Sequence, residues 1–286
     1  MKIPLKEAFN FENAIKSHGW WMLSPNHWDN EKQKYYRPVK LNSGKNILLS
    51  VTYADDHLMI DIENNVFLNV VEMKEIEKLV SWIFRLEEDF ESFYSMSAEH
   101  EELLHLSSER KGRLLRSPTL FEDVIKVILT TNTRWQQTIN MVNHLVDGLG
   151  DPVATKNQIE FKAFPRPEKI LEAGEDYLKE HVRVGYRSTY IMDAAFKTLD
   201  PSFNLESYKN INQEIDDLKK IKGIGPYAFS TLSMLLGRYD SLPVDSEYKK
   251  LVINKYFDGE MPTKKELEGV YDKWKNYKFL AYWFDH

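Results

Sequence analysis

Cysteine is absent from all 286 residues, which excludes disulfides, thiolate nucleophiles and any zinc or iron–sulfur centre held by cysteine. No run approaches the roughly 18 apolar residues of a membrane span. No apolar signal core follows the first lysines either, so a cytoplasmic protein without membrane contact is expected. The eight histidines show no H-E-x-x-H or other metal-ligand spacing, and no catalytic metal is expected. Repeats and low-complexity segments are also missing. What is present, 42% apolar and 29% charged residues, suffices for a sizeable core in one large domain or two ordinary ones.

A net charge of -6 argues against a nucleic-acid partner until its distribution is read. Residues 1–107 carry 11 basic and 18 acidic side chains, whereas residues 108–257 carry 22 and 20. The acidity belongs to the first third. Clusters in the middle, such as Arg110, Lys111, Arg113 and Arg116, leave room for a DNA-facing surface.

Residues 46–52, 57–62 and 66–71 read as short strands separated by polar breaks at 54–56 and 63–65, an antiparallel meander. Beyond Glu72 the apolar period changes to 3.6, through Leu79, Ile83 and Leu86 and again through Phe121, Val124, Ile125 and Ile128. Ser117, Pro118 and Thr119 predict the start of that second helix, with proline in its first turn and Glu122 and Asp123 near its positive end. It should run to about Leu129. The expected fold class is α+β: a mostly helical core, residues 106–286, with a small N-terminal antiparallel β lobe, residues 1–105. The last thirty or so residues read as helix, with Tyr271, Trp274 and Tyr277 on a face packed against the core.

The most informative stretch runs from Leu218 through Lys222, Gly223, Ile224 and Gly225 to Leu232. Two glycines around one aliphatic residue make a tight turn between helices, and backbone N–H groups at the second helix start can hold a phosphate. Taken alone, such a pair more simply turns the chain. Twenty residues on, Pro243 and Val244 deliver Asp245 to an expected helix start. There it can cap the helix and remain ionised, as stabilising a cationic transition state requires. Asp240 is the nearby competitor.

At these residues the chain resembles the helix-hairpin-helix (HhH-GPD) glycosylases, whose signature is Leu-x-x-Ile-x-Gly-Ile-Gly, a helix, Pro-Val-Asp and another helix. Residues 112–132 are similar to the family's first core helix, and Val184, Gly185, Tyr186 and Arg187 to its Gly-Tyr-Arg helix start. The resemblance covers about residues 108–256. In placement, the β lobe resembles that of the 3-methyladenine and 8-oxoguanine branches.

The resemblance implies a base-excision-repair enzyme that flips a damaged base out of duplex DNA and cuts its N-glycosidic bond, with Asp245 as the catalytic carboxylate. Bifunctional members place a lysine two residues after the second hairpin glycine. Here that residue is Tyr227, which implies a monofunctional enzyme leaving an abasic site. Gly223, Ile224, Gly225, Lys222 and Arg187 are expected to meet DNA, and Asn132 and Arg134 to enter the gap. Tyr227, Trp135 and Tyr186 are expected in the substrate pocket, where electron-rich rings suit a cationic alkylated purine of the 3-methyladenine type. An 8-oxoguanine-type glycosylase is the alternative within the family, and a noncatalytic DNA-binding hairpin the alternative outside it. The expected partner is duplex DNA bound by a monomer, with no cofactor beyond an alkali cation that the hairpin carbonyls could hold.

Overall fold

The computed structural model describes residues 1–154 and 160–285. Five N-terminal strands, β1 (Lys2–Pro4), β2 (His27–Asp29), β3 (Lys34–Lys40), β4 (Asn46–Ala54) and β5 (His57–Ile62), form one antiparallel sheet in the order β1-β5-β4-β3-β2. Helix α1 (Phe11–Lys16) and helix α2 (Val70–Ile83) bury Phe11, Ile15, Ile76, Val80 and Ile83 against it.

The third expected strand does not form. Asn69 instead caps α2 by accepting from the Glu72 N–H, while the Glu72 carboxylate accepts from the Asn69 N–H. This reciprocal pair satisfies two helix-end donors at once and outweighs the β-branched bias of Val70 and Val71, both of which point to solvent.

The helices α3 (Glu91–Ala98), α4 (Leu104–Ser108), α5 (Leu120–Thr130), α6 (Trp135–Leu149), α7 (Pro167–Tyr177), α8 (Ser188–Leu199), α9 (Pro226–Leu235), α10 (Ser246–Tyr256), α11 (Lys264–Gly269) and α12 (Lys278–Phe284) surround a second, larger core. A short β6–β7 hairpin (Pro152–Ala154, Glu160–Lys162) follows α6. Thr119 rather than Pro118 opens α5, its side chain accepting from the Glu122 N–H at 3.2 Å. Phe90, Phe93, Leu103 and Leu106 belong to this helical core, as do Trp20 and Leu23 from the N-terminal segment. The chain therefore crosses between the two cores near residue 20, again before residue 90, and once more at Leu115, which packs in the sheet-side core. Tyr271 and Trp274 are buried in the same core.

A buried ion cluster joins the two parts. Arg37 of β3 pairs with Glu122 of α5, which also takes Lys126 at 2.6 Å. Burial disfavours the Glu122 charge, but Arg37 and Lys126 outweigh it and hold the carboxyl below its usual range.

Candidate active site

The hairpin turn is built by backbone geometry. Gly223 has φ of 86°, and a Cβ there would lie 2.5 Å from the Tyr190 ring; no other residue type fits. Asp193 on α8 accepts from the Lys222 N–H at 2.8 Å and holds the turn from below. Pro226 opens α9, and no side chain caps its N-terminus. The positive end of the helix is left free for an anion.

Asp245 stands at the N-cap of α10, with Oδ1 accepting from the Tyr248 N–H at 2.9 Å. The same residue lines two adjoining spaces. One is a groove of about 850 Å³ bordered by Thr130, Asn132, Tyr186, Tyr190, Lys222, Gly223, Ile224 and Gly225. The other is a cavity of about 510 Å³ walled by Trp20, Trp135, Tyr227, Phe279, Tyr282 and Trp283. Tyr227, Thr130, Thr133 and Glu247 also line both, so the hairpin groove leads to the aromatic cavity past Asp245.

Hydrogen bonds from distant segments fix the cavity walls. The Trp20 indole N–H donates to Asp123 at 2.8 Å, and the Trp283 indole N–H donates to the Ser17 carbonyl at 3.0 Å. His18 donates from Nε2 to the Leu115 carbonyl at 2.7 Å, and its Nδ1 accepts from the Trp20 N–H, which assigns the neutral tautomer. Burial pulls the His18 pKa down to about 3. Asp245 and Glu247 are therefore the charged side chains among the described cavity-lining residues. Burial together with their negative charges raises the pKa of the Tyr282 hydroxyl.

Several expectations change place. Tyr186 lies on the groove rather than in the cavity, where its hydroxyl accepts from Asn132 at 3.4 Å. Arg187 was expected at the DNA surface but is 7% exposed, with its guanidinium donating to the Thr131 and Asn132 carbonyls and lying over the Tyr186 ring. It braces the Asn132 loop, whose tip has φ of 47°. Arg134, at the start of α6, is exposed but borders neither space. Asp240 is also exposed and outside the cavity.

The basic cluster at 110–116 is spent on internal pairs. Arg113 binds Glu7, Arg116 binds Glu88, Arg110 binds Glu91, and Lys111 binds Glu109. Arg113 and Arg116 are buried, and Arg110 and Lys111 are half-buried. Sequence reasoning missed His18, Gly19, Phe279, Tyr282, Trp283 and Glu247. Only Glu247 carried a signal, its place two residues after Asp245.

The chain belongs to the HhH-GPD superfamily of base excision DNA repair proteins, whose family pattern matches residues 125–276. A curated relative named Probable N-glycosylase/DNA lyase, from Methanothermobacter thermautotrophicus, is 24% identical over 209 residues. That match spans 64% of this chain and 64% of the relative's length. The 3-methyladenine DNA-glycosylase of Archaeoglobus fulgidus has the same fold at a TM-score of 0.79 and 21% identity, over 100% of this chain and 97% of that one. The apo 8-oxoguanine glycosylase/lyase of Clostridium acetobutylicum aligns at 0.65 and 21% identity, over 87% of each chain.

Proposed function

We propose that this protein is a monofunctional DNA glycosylase that excises a flipped, damaged purine from duplex DNA, with alkylated purines of the 3-methyladenine type as its substrates. The observation that carries the reading is the chemistry of the cavity: six aromatic rings, two carboxylates, and no lysine or arginine among the described lining residues. Electron-rich rings attract a cationic base, and such a base is already a good leaving group.

The groove holds the strand, with backbone phosphate at the uncapped start of α9 and Lys222 beside it. The base enters the cavity. As the C1′–N bond breaks, its electron pair leaves with the base, and the Asp245 carboxylate stabilises the positive charge left on the sugar. Water then bonds to C1′ and gives up its proton to bulk solvent, leaving the C1′ hydroxyl of an abasic site. Tyr227 stands where an amine nucleophile would be needed for lyase chemistry, and its phenol cannot form a Schiff base.

A second reading, an 8-oxoguanine glycosylase, is supported by the fold shared with the Clostridium acetobutylicum enzyme. A lesion panel separates the two. Free base is measured from duplexes carrying 3-methyladenine, 7-methylguanine or 8-oxoguanine, with strand cleavage scored before and after alkali. Expected are release of the alkylated bases, cleavage only after alkali, and a rate loss of about a thousandfold in Asp245→Asn. That variant should fold normally, since asparagine caps a helix as well as aspartate does. Cleavage without alkali, or excision confined to 8-oxoguanine, would reject the monofunctional alkyl-purine reading.

A further inference from the structure

The cavity mouth carries a second carboxylate to which the excision step above gives no task. Glu247 lies in the first turn of α10, two residues past Asp245, and borders both the groove and the cavity. It is exposed, and among the described residues it has no ion-pair partner. An acidic residue in a first helical turn ordinarily just complements the helix dipole, and that role would need no cavity.

On the cavity side of this mouth the charges have one sign, and the cations stand on the groove side. Of the three lysines bordering the groove, Lys219 and Lys220 are paired with Asp216 and Asp217, and Lys222 lies at the hairpin turn; among the described residues no lysine or arginine borders the cavity. His18, at the cavity wall, is neutral. A base passing from the groove to the aromatic walls therefore crosses a negative potential set by Asp245 and Glu247. Low-dielectric walls weaken solvent screening there. The Tyr282 hydroxyl inside the cavity already responds to both carboxylates.

We propose that Glu247 is a specificity-determining residue whose carboxylate favours bases carrying a positive charge over neutral lesions as they enter the cavity. This rests on the glycosylase reading above. In the bond-breaking step Asp245 serves every substrate alike, because the positive charge it stabilises there arises on the sugar whatever base leaves, and its share of the potential at the mouth is unchanged in a Glu247 variant. Glu247 acts on the charge of the base itself. Its repulsion of phosphate is common to all lesions and cancels when two are compared in the same duplex.

The test is single-turnover excision of 7-methylguanine, which is cationic, and hypoxanthine, which is neutral, from otherwise identical duplexes, by the wild-type chain, Glu247→Gln and Glu247→Asp. Expected is a cationic-to-neutral rate ratio about three- to tenfold lower in Glu247→Gln, kept in Glu247→Asp, and compressed by added salt more strongly in the wild type than in Glu247→Gln. Thermal melting checks that each variant is folded. An unchanged ratio in Glu247→Gln, or equal losses on both lesions, would overturn the assignment while leaving the glycosylase reading intact. A wild-type chain that releases no cationic base would overturn both.

Discussion

A Cβ placed on Gly19 would overlap Cζ2 of Trp135, so the backbone of the N-terminal segment and the first side chain of α6 are in direct contact. Both residues line the cavity. The indole can sit where it does only because residue 19 has no side chain.

Gly19→Ala should therefore displace the Trp135 ring and reshape the base-binding wall. The ring is partly exposed and its outer edge can move, so stability should change little. Base release should fall about tenfold, corresponding to about 1.4 kcal/mol of lost transition-state stabilisation. Adding Trp135→Phe, whose smaller ring clears the new methyl, should recover most of the loss. Single-turnover rates for the two variants check this, and an undiminished rate in Gly19→Ala would show that the contact does not shape the cavity.

The two hairpin glycines should behave differently under the same substitution. At Gly223 alanine meets a left-handed φ and the Tyr190 ring, a cost of about 1–3 kcal/mol. At Gly225, with φ of -83° and nothing within 4 Å of a Cβ, alanine should leave stability within about 0.5 kcal/mol. Both methyls stand in the turn offered to phosphate. Binding to undamaged duplex should weaken in both variants, whereas the urea midpoint should drop only in Gly223→Ala. Tight binding by Gly225→Ala would remove the turn from the DNA interface.

His18 should make the fold sensitive to mild acid. Burial, opposed by the Leu115 hydrogen bond and aided by the Arg85 and Lys126 charges, lowers its pKa to about 3. In the unfolded chain the ring titrates near its ordinary value of about 6.5. The unfolded state thus takes the proton first. The stability from neutral His18 is complete above pH ~6.5 and is lost as pH falls toward 3. Between pH ~6.5 and ~5 the loss should be about 2 kcal/mol. Denaturant titrations at those two pH values should show it in the wild type and a flatter dependence in His18→Gln. Equal slopes would mean that His18 is not held neutral.

Much of the candidate site is legible in the chain order because its signals are local. A glycine pair in a tight turn and a capping aspartate each declare themselves within a few residues, and Gly223, Gly225 and Asp245 form the turn and cap that their spacing predicts. Residues 66–71 are less legible because two local signals conflict there. β-Branched side chains favour a strand, and the Asn69–Glu72 pair favours a helix start; the two satisfied backbone donors decide it. Arginines are the least legible. A run of cations at 110–116 reads as surface until Glu7 and Glu88 are brought to it from elsewhere in the chain.

The sequence by itself determined the helical core with its β lobe, the hairpin turn and the position of Asp245, since each follows from backbone conformation and short-range spacing, and its motifs carried the resemblance to the family. Only the tertiary structure decided what surrounds that carboxylate. Residues 18–20 and 279–283 come from opposite ends of the chain to wall one cavity, joined by the Trp283–Ser17 hydrogen bond, while Arg187 is drawn inward to brace the Asn132 loop. Contacts between residues so far apart leave no periodic or local trace in the sequence. They exist because burying the aromatic rings requires their polar N–H groups to find partners wherever the packed chain provides them.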